Sequence, residues 1–174
     1  MRKKDSPTFL MHHRGRVDFV PPGGARTISL IDMTDMAGKK AFSNKDTPLW
    51  DLKIDSKFLE KEQKWEFTIA PSGETQGGIY VSDSPIYTAP AQGYLTEHHE
   101  SVSLKEFRKN LILCVRSRSH TVYSRVDLQF SADKERCILS YDAWVNPYGS
   151  RNLEYDEELD KAWQLRKRLE QEVR

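Results

Sequence analysis

The segment 116–125 contains the side chains best suited to bind an anionic ligand, namely Arg116, Arg118, His120, Tyr123 and Arg125. Side chains alternate along a strand, so Arg116, Arg118 and His120 would project from one face. A guanidinium binds carboxylate, sulfate or phosphate through two parallel hydrogen bonds, and a nearby aromatic ring adds stacking. We therefore expect an anion site here, with a solvated hairpin tip as the alternative.

Asp142 and Trp144 share the polar face of a second predicted strand, 137–145. The apolar face of that strand is formed by alternate residues: Cys137, Leu139, Tyr141, Ala143 and Val145. A flat aromatic ring beside a few polar groups is typical of a saccharide-binding surface. We expect Asp142 and Trp144 to belong to the ligand site, unless a second sheet or a C-terminal helix covers the tryptophan.

Catalytic and metal-binding signals are weak in this chain. The sequence contains no Gly-x-Ser-x-Gly, phosphate-loop, His-Glu-x-x-His or dinucleotide-binding motif, and it therefore indicates no cofactor. Asp142 and His120 are the candidates for a hydrolase or lyase. Residues 12–13 are two histidines, and residues 97–100 combine two histidines with two glutamates. A catalytic metal needs a third ligand besides such a pair, so we expect polar loops there rather than a metal site.

The two cysteines, Cys114 and Cys137, both lie in apolar runs. A free cysteine in such a run behaves as a small buried hydrophobic residue. We expect two free thiols, although a single disulfide between them stays open.

Most of the chain is predicted to form strands separated by turns. Strands are indicated at 17–20, 27–32, 65–69, 78–82, 111–118, 122–130 and 137–145 by β-branched residues and period-two alternation. The pattern Ser103 to Glu106 matches a capping box and predicts a short helix near 103–110. Asp156 is placed to cap an amphipathic helix over 156–174.

Strands followed by terminal helices predict a mainly β fold. We expect an antiparallel β-sandwich or jelly-roll-like domain of about seven to nine short strands. Residues 1–16 would form a basic arm, mobile or paired as an edge segment, and residues 17–155 a single β-rich domain. The helix over 156–174 would pack on the domain or on a partner, where it could form a homo-oligomer.

Charge and hydropathy narrow the range of partners. The chain has 174 residues and a net charge of +1, although residues 105–136 carry eight basic against four acidic side chains. Near-neutrality disfavours nucleic acid, because that binding depends on neutralising many phosphates. No run approaches the roughly 20 apolar residues of a membrane-spanning helix, so we expect a soluble protein. The basic N-terminus lacks the apolar stretch of a signal peptide, and the compartment stays open.

Short strands rich in tryptophan and tyrosine, with the turn at 146–150, are similar to non-catalytic β-sandwich modules of bacterial proteins that act on polysaccharides. The resemblance covers residues 60–155. The first hypothesis is thus a non-catalytic module that binds a saccharide or an anionic polymer. The alternatives are an assembly subunit that uses the C-terminal helix, and a hydrolase or lyase.

Overall fold

The part of the chain that the structure describes forms nine strands. The computed structural model describes residues 10–30, 50–72, 77–117, 122–146 and 149–154, together with 158, 161 and 162. The strands are β1 (Met11–Phe19), β2 (Gly23–Ile28), β3 (Leu52–Leu59), β4 (Lys64–Pro71), β5 (Gly78–Ser82), β6 (His98–Ser103), β7 (Arg108–Ser117), β8 (Val122–Ala132) and β9 (Cys137–Asn146). The protein is therefore mainly β, as predicted.

The strands form two antiparallel sheets. Sheet A has five strands in the order β1-β9-β8-β7-β5, and sheet B has four in the order β2-β3-β4-β6. The predicted hairpin between 111–118 and 122–130 is confirmed, with Arg116 opposite Tyr123 in the β7–β8 register. One edge of sheet A is formed by β1, and every residue of β1 pairs with β9.

One hydrophobic core lies between the two sheets and includes residues from both. Phe67 of β4 contacts Phe130 of β8 at a ring-centroid distance of 4.7 Å and Phe19 of β1 at 5.6 Å. Trp65 is fully buried, and its indole N–H donates to the carbonyl of Asp133 at 3.0 Å. The apolar faces of β4 and β9 thus point inward, which leaves their polar faces outside.

Two polar contacts also join the sheets. The buried carboxylate of Asp51, just before β3, accepts a hydrogen bond from the Ser117 hydroxyl at the end of β7 (2.7 Å). Between β6 and β7, the Lys109 ammonium lies 2.7 Å from a carboxylate oxygen of Glu100. Both contacts fix one sheet against the other with charged or hydroxyl groups that would be costly to bury unpaired.

The predicted helix near 103–110 is wrong. Ser103 ends β6 and Arg108 begins β7, so the chain makes only one turn as it crosses from sheet B to sheet A. The Glu106 N–H donates to the Ser103 carbonyl at 3.1 Å, and Phe107, at φ 59°, ends the turn. The pattern from Ser103 to Glu106 describes a local turn only. The chain does not continue into a helix after this turn, because pairing with β8 along residues 108–117 requires an extended backbone.

The predictions for the two chain ends have different outcomes. Residues 11–16 were assigned to the basic arm and lie in β1, so this part of the arm is an edge segment. Of the predicted helix over 156–174 only residues 158, 161 and 162 are described, so that helix lies outside the described residues. No helix in the described part of the chain is long and apolar enough to cross a membrane.

Candidate functional site

The outer face of sheet A carries most of the residues that the sequence singled out. Trp144 and Asp142 lie on this face of β9, and Arg125 stands directly opposite Trp144 on β8. Arg116 and Tyr123 form the next cross-strand pair, between β7 and β8. Two further predicted site residues, Arg118 and His120, lie outside the described residues.

Trp144 is held between two polar side chains from the neighbouring strands. The His12 ring on β1 stacks on it at a centroid distance of 5.1 Å and an interplanar angle of 9°. The Arg125 guanidinium carbon lies 3.9 Å from the centroid of the indole. Because β1 and β8 flank β9 on opposite sides, each neighbour covers one face of the ring, and a ligand can reach only the ring edge.

Four charged side chains next to this stack form two ion pairs. Asp142 accepts hydrogen bonds from Arg14 Nε and lies 3.1 Å from His12 Nε2. Arg125, whose side chain is only 13% exposed, donates twice to Asp127, at 3.1 Å for each bond. Asp127 and Asp142 stand opposite each other in the register, a repulsive arrangement that the two guanidinium groups offset. The quartet has no net charge.

A shallow groove of about 470 Å³ runs along the same face beside the ion pairs. Its outward-pointing side chains come from four strands and are Arg14, Asn110, Ile112, Asp127, Gln129, Ser140 and Asp142. Within the groove, the Gln129 side-chain amide donates to the Asn110 side-chain oxygen at 3.3 Å. The lining offers amide, hydroxyl and carboxylate groups, all suited to hydroxyl groups of a ligand.

A second apolar cluster covers the other flank of this face. It comprises Ile86, Ala89, Cys114 and Leu153, packed against Tyr80, Tyr94 and Tyr123. The Tyr94 hydroxyl contacts the Cys114 sulfur at 3.4 Å. Burial raises the pKa of the Tyr94 phenol, and it raises the pKa of the Cys114 thiol to about 11.

Both cysteines are free and buried, as the apolar runs predicted. They lie on opposite faces of sheet A, since Cys114 packs in the outer cluster and Cys137 in the core. Burial raises the pKa of the Cys137 thiol to about 12. Both thiols are therefore protonated at neutral pH and poorly nucleophilic.

Arg116 lies at the edge of this outer cluster. Its guanidinium carbon is 4.5 Å from the centroid of the Tyr94 ring. The side chain is partly exposed, but its Nε atom is buried and has no hydrogen-bond partner. Arg116 thus differs from Arg125, whose guanidinium is paired with a carboxylate.

The histidine-rich segment is an edge strand rather than a polar loop, since residues 98–103 form β6. His99 lies 3.1 Å from a carboxylate oxygen of Glu97, and His98 lies 3.6 Å from one of Glu100. Within the described ranges, no three histidine, cysteine or acidic side chains come close enough together to hold a metal ion.

Sequence reasoning missed His12 and Arg14, although both contact Asp142. The alternation of charged with smaller or apolar residues over 14–19 was a signal for an edge strand, but nothing local indicates that this strand pairs with β9. Asn110 and Gln129 were missed because single amides in strands carry no motif. Comparison with known proteins found no family model, curated protein or solved structure that matches this chain, so its own residues must carry any functional assignment.

Proposed function

We propose that this protein is a non-catalytic binding module whose ligand is a neutral saccharide, held in the groove on the outer face of sheet A. In this proposal the domain is a β-sandwich that leaves one face of sheet A free for the ligand. The observation that carries the proposal is the groove of about 470 Å³ lined by Asn110, Gln129, Ser140, Asp127 and Asp142. Such groups hydrogen-bond to hydroxyls, and Ile112 adds apolar contact.

Charge pairing favours a neutral ligand over an anionic polymer in this groove. Arg14 is paired with Asp142 and the buried Arg125 with Asp127, so each positive charge beside the groove is matched by a carboxylate. The role we assign to Trp144 also changes, because His12 and Arg125 cover both ring faces. Trp144 positions Arg125, which in turn positions Asp127 at the groove, rather than acting as a stacking platform.

A hydrolase is less well supported by the same contacts. A glycosidase needs one carboxylic acid that can donate a proton. Asp142 and Asp127 each accept hydrogen bonds from a guanidinium, so their oxygens are already engaged within the protein.

The test is a binding screen of the full chain against neutral cello-, xylo- and manno-oligosaccharides, followed by calorimetry on any that bind. We expect N110A/Q129A to weaken binding at least tenfold, because each lost hydrogen bond costs about 1 kcal/mol. The matched control is T68A/S101A in the smaller polar groove on sheet B. Absence of binding to every oligosaccharide, or an equal loss in the control, would overturn the proposal.

A further inference from the structure

Arg116 on the outer face of sheet A has no acidic partner within the described ranges. Arg14, Arg16 and Arg125 each form an ion pair with an aspartate. Arg116 instead stacks on Tyr94, which occupies one flat face of the guanidinium. Its Nε is buried and out of reach of a ligand, so the two terminal nitrogens of this partly exposed side chain are the donors left for an outside acceptor.

The surroundings of Arg116 are positively charged and aromatic. Arg151 lies on the same flank, where its Nε donates to the carbonyl of Ala89 at 2.6 Å. Both guanidinium groups are near enough to the Cys114 sulfur to favour its thiolate, although burial has the larger effect and raises the pKa of that thiol. Tyr94 and Tyr123 enclose the site from two sides.

We propose that Arg116 binds an oxyanion, the phosphate, sulfate or carboxylate group of a ligand, beside Tyr94. The oxyanion accepts hydrogen bonds from the guanidinium edge and pairs with the positive charge of Arg116. Arg151 adds long-range attraction. The site is independent of the saccharide groove, since neither Arg116, Tyr94 nor Arg151 lines that groove.

The first test is thermal unfolding of the full chain in chloride buffer, with sulfate, phosphate or acetate replacing chloride at constant ionic strength. At least one of the three anions should raise the Tm by about 5–10 °C at a hundredfold excess over its Kd, and the rise should grow with the logarithm of anion concentration. The three anions distinguish a phosphate or sulfate ligand from a carboxylate ligand.

The variant R116M should lose this anion-specific rise in Tm while remaining at least as stable as the wild type in chloride, because it removes an unpaired, partly buried charge. The control R26M changes an exposed arginine on β2 and should respond as the wild type does. A Tm that rises equally in wild type and R116M, or does not rise with any of the three anions, overturns the proposal.

A second measurement observes Arg116 directly in the wild type. In ¹⁵N-labelled wild type, the Nε–Hε signal of Arg116 should shift saturably on addition of the stabilising anion, and the signal is assigned by its absence in folded R116K. No shift with sulfate, phosphate or acetate overturns the proposal. Neutral oligosaccharides should leave this signal unchanged, so the anion site and the saccharide groove succeed or fail separately.

Discussion

Glu100 and Lys109 show how one ion pair responds to pH. The Glu100 side chain is only 14% exposed, and burial raises its pKa, but hydrogen bonds from the Lys109 ammonium and the Ser101 N–H outweigh this. The pKa of Glu100 therefore lies below its usual value. This pair stabilises the fold above the unfolded-state pKa of about 4.5, and that contribution is lost as the pH falls through the lower folded-state pKa.

We expect Lys109→Met to lower the free energy of unfolding by about 1–2 kcal/mol at pH 7, because it leaves a partly buried carboxylate without its cation. At pH 3 the loss should shrink, since Glu100 is then largely protonated in the unfolded state and in the variant. Urea unfolding at both pH values measures the difference, and Lys134→Met on an exposed turn is the control. An equal loss at pH 7 and pH 3 would show that the ion pair contributes nothing.

Among the strands, those with the strongest apolar signal were predicted and two more polar strands were not. Residues 65–69 and 137–145 alternate cleanly, and both lie in strands whose apolar face is buried. β3 contains Lys53, Asp55 and Lys57 among its apolar residues, and β6 is a polar edge strand, so neither was predicted. The helix near 103–110 failed for a related reason, since a local capping signal does not include the pairing that extends β7.

Two glycines in strands allow a test of how tightly neighbouring segments pack. A Cβ on Gly78 would lie 2.5 Å from the Cβ of Tyr94, an atom fixed to the backbone. A Cβ on Gly15 would instead meet the far end of the Tyr141 side chain, which can rotate away. We expect Gly78→Ala to cost about 1–3 kcal/mol and Gly15→Ala under about 1 kcal/mol.

Chemical denaturation of both variants measures the two costs. Tyr141→Ala combined with Gly15→Ala is the control, because removal of the ring should abolish any cost at Gly15 beyond that of losing the ring. Equal costs at the two glycines would mean that the segment carrying Tyr94 can shift away from β5 as readily as the tyrosine ring can rotate.

At the scale of the whole molecule, the sequence predicts which face of a strand is buried but not which strands are neighbours. Asp142 and Trp144 were placed correctly on one face of β9, since that follows from alternation. Their contacts with His12 and Arg14 depend on β1 pairing with β9 across more than a hundred residues. No local pattern encodes that pairing, so the closed faces of Trp144 and the neutral ion-pair quartet emerge only from the fold.

Phe67 makes the contact by which the two sheets share one core, since its ring touches Phe19 and Phe130 of sheet A from its place in sheet B. We expect Phe67→Ala to lower the free energy of unfolding by about 3–5 kcal/mol, because a buried ring is replaced by a cavity that two sheets cannot easily close. Phe107→Ala is the matched control, as that ring is 53% exposed, and it should cost less than about 0.5 kcal/mol. Urea unfolding, monitored by tryptophan fluorescence, measures the free-energy cost of each variant, and Trp65 next to Phe67 is the reporter. A loss below about 1 kcal/mol for Phe67→Ala would mean that the polar contacts at Asp51 and Glu100, rather than the shared core, hold the sheets together.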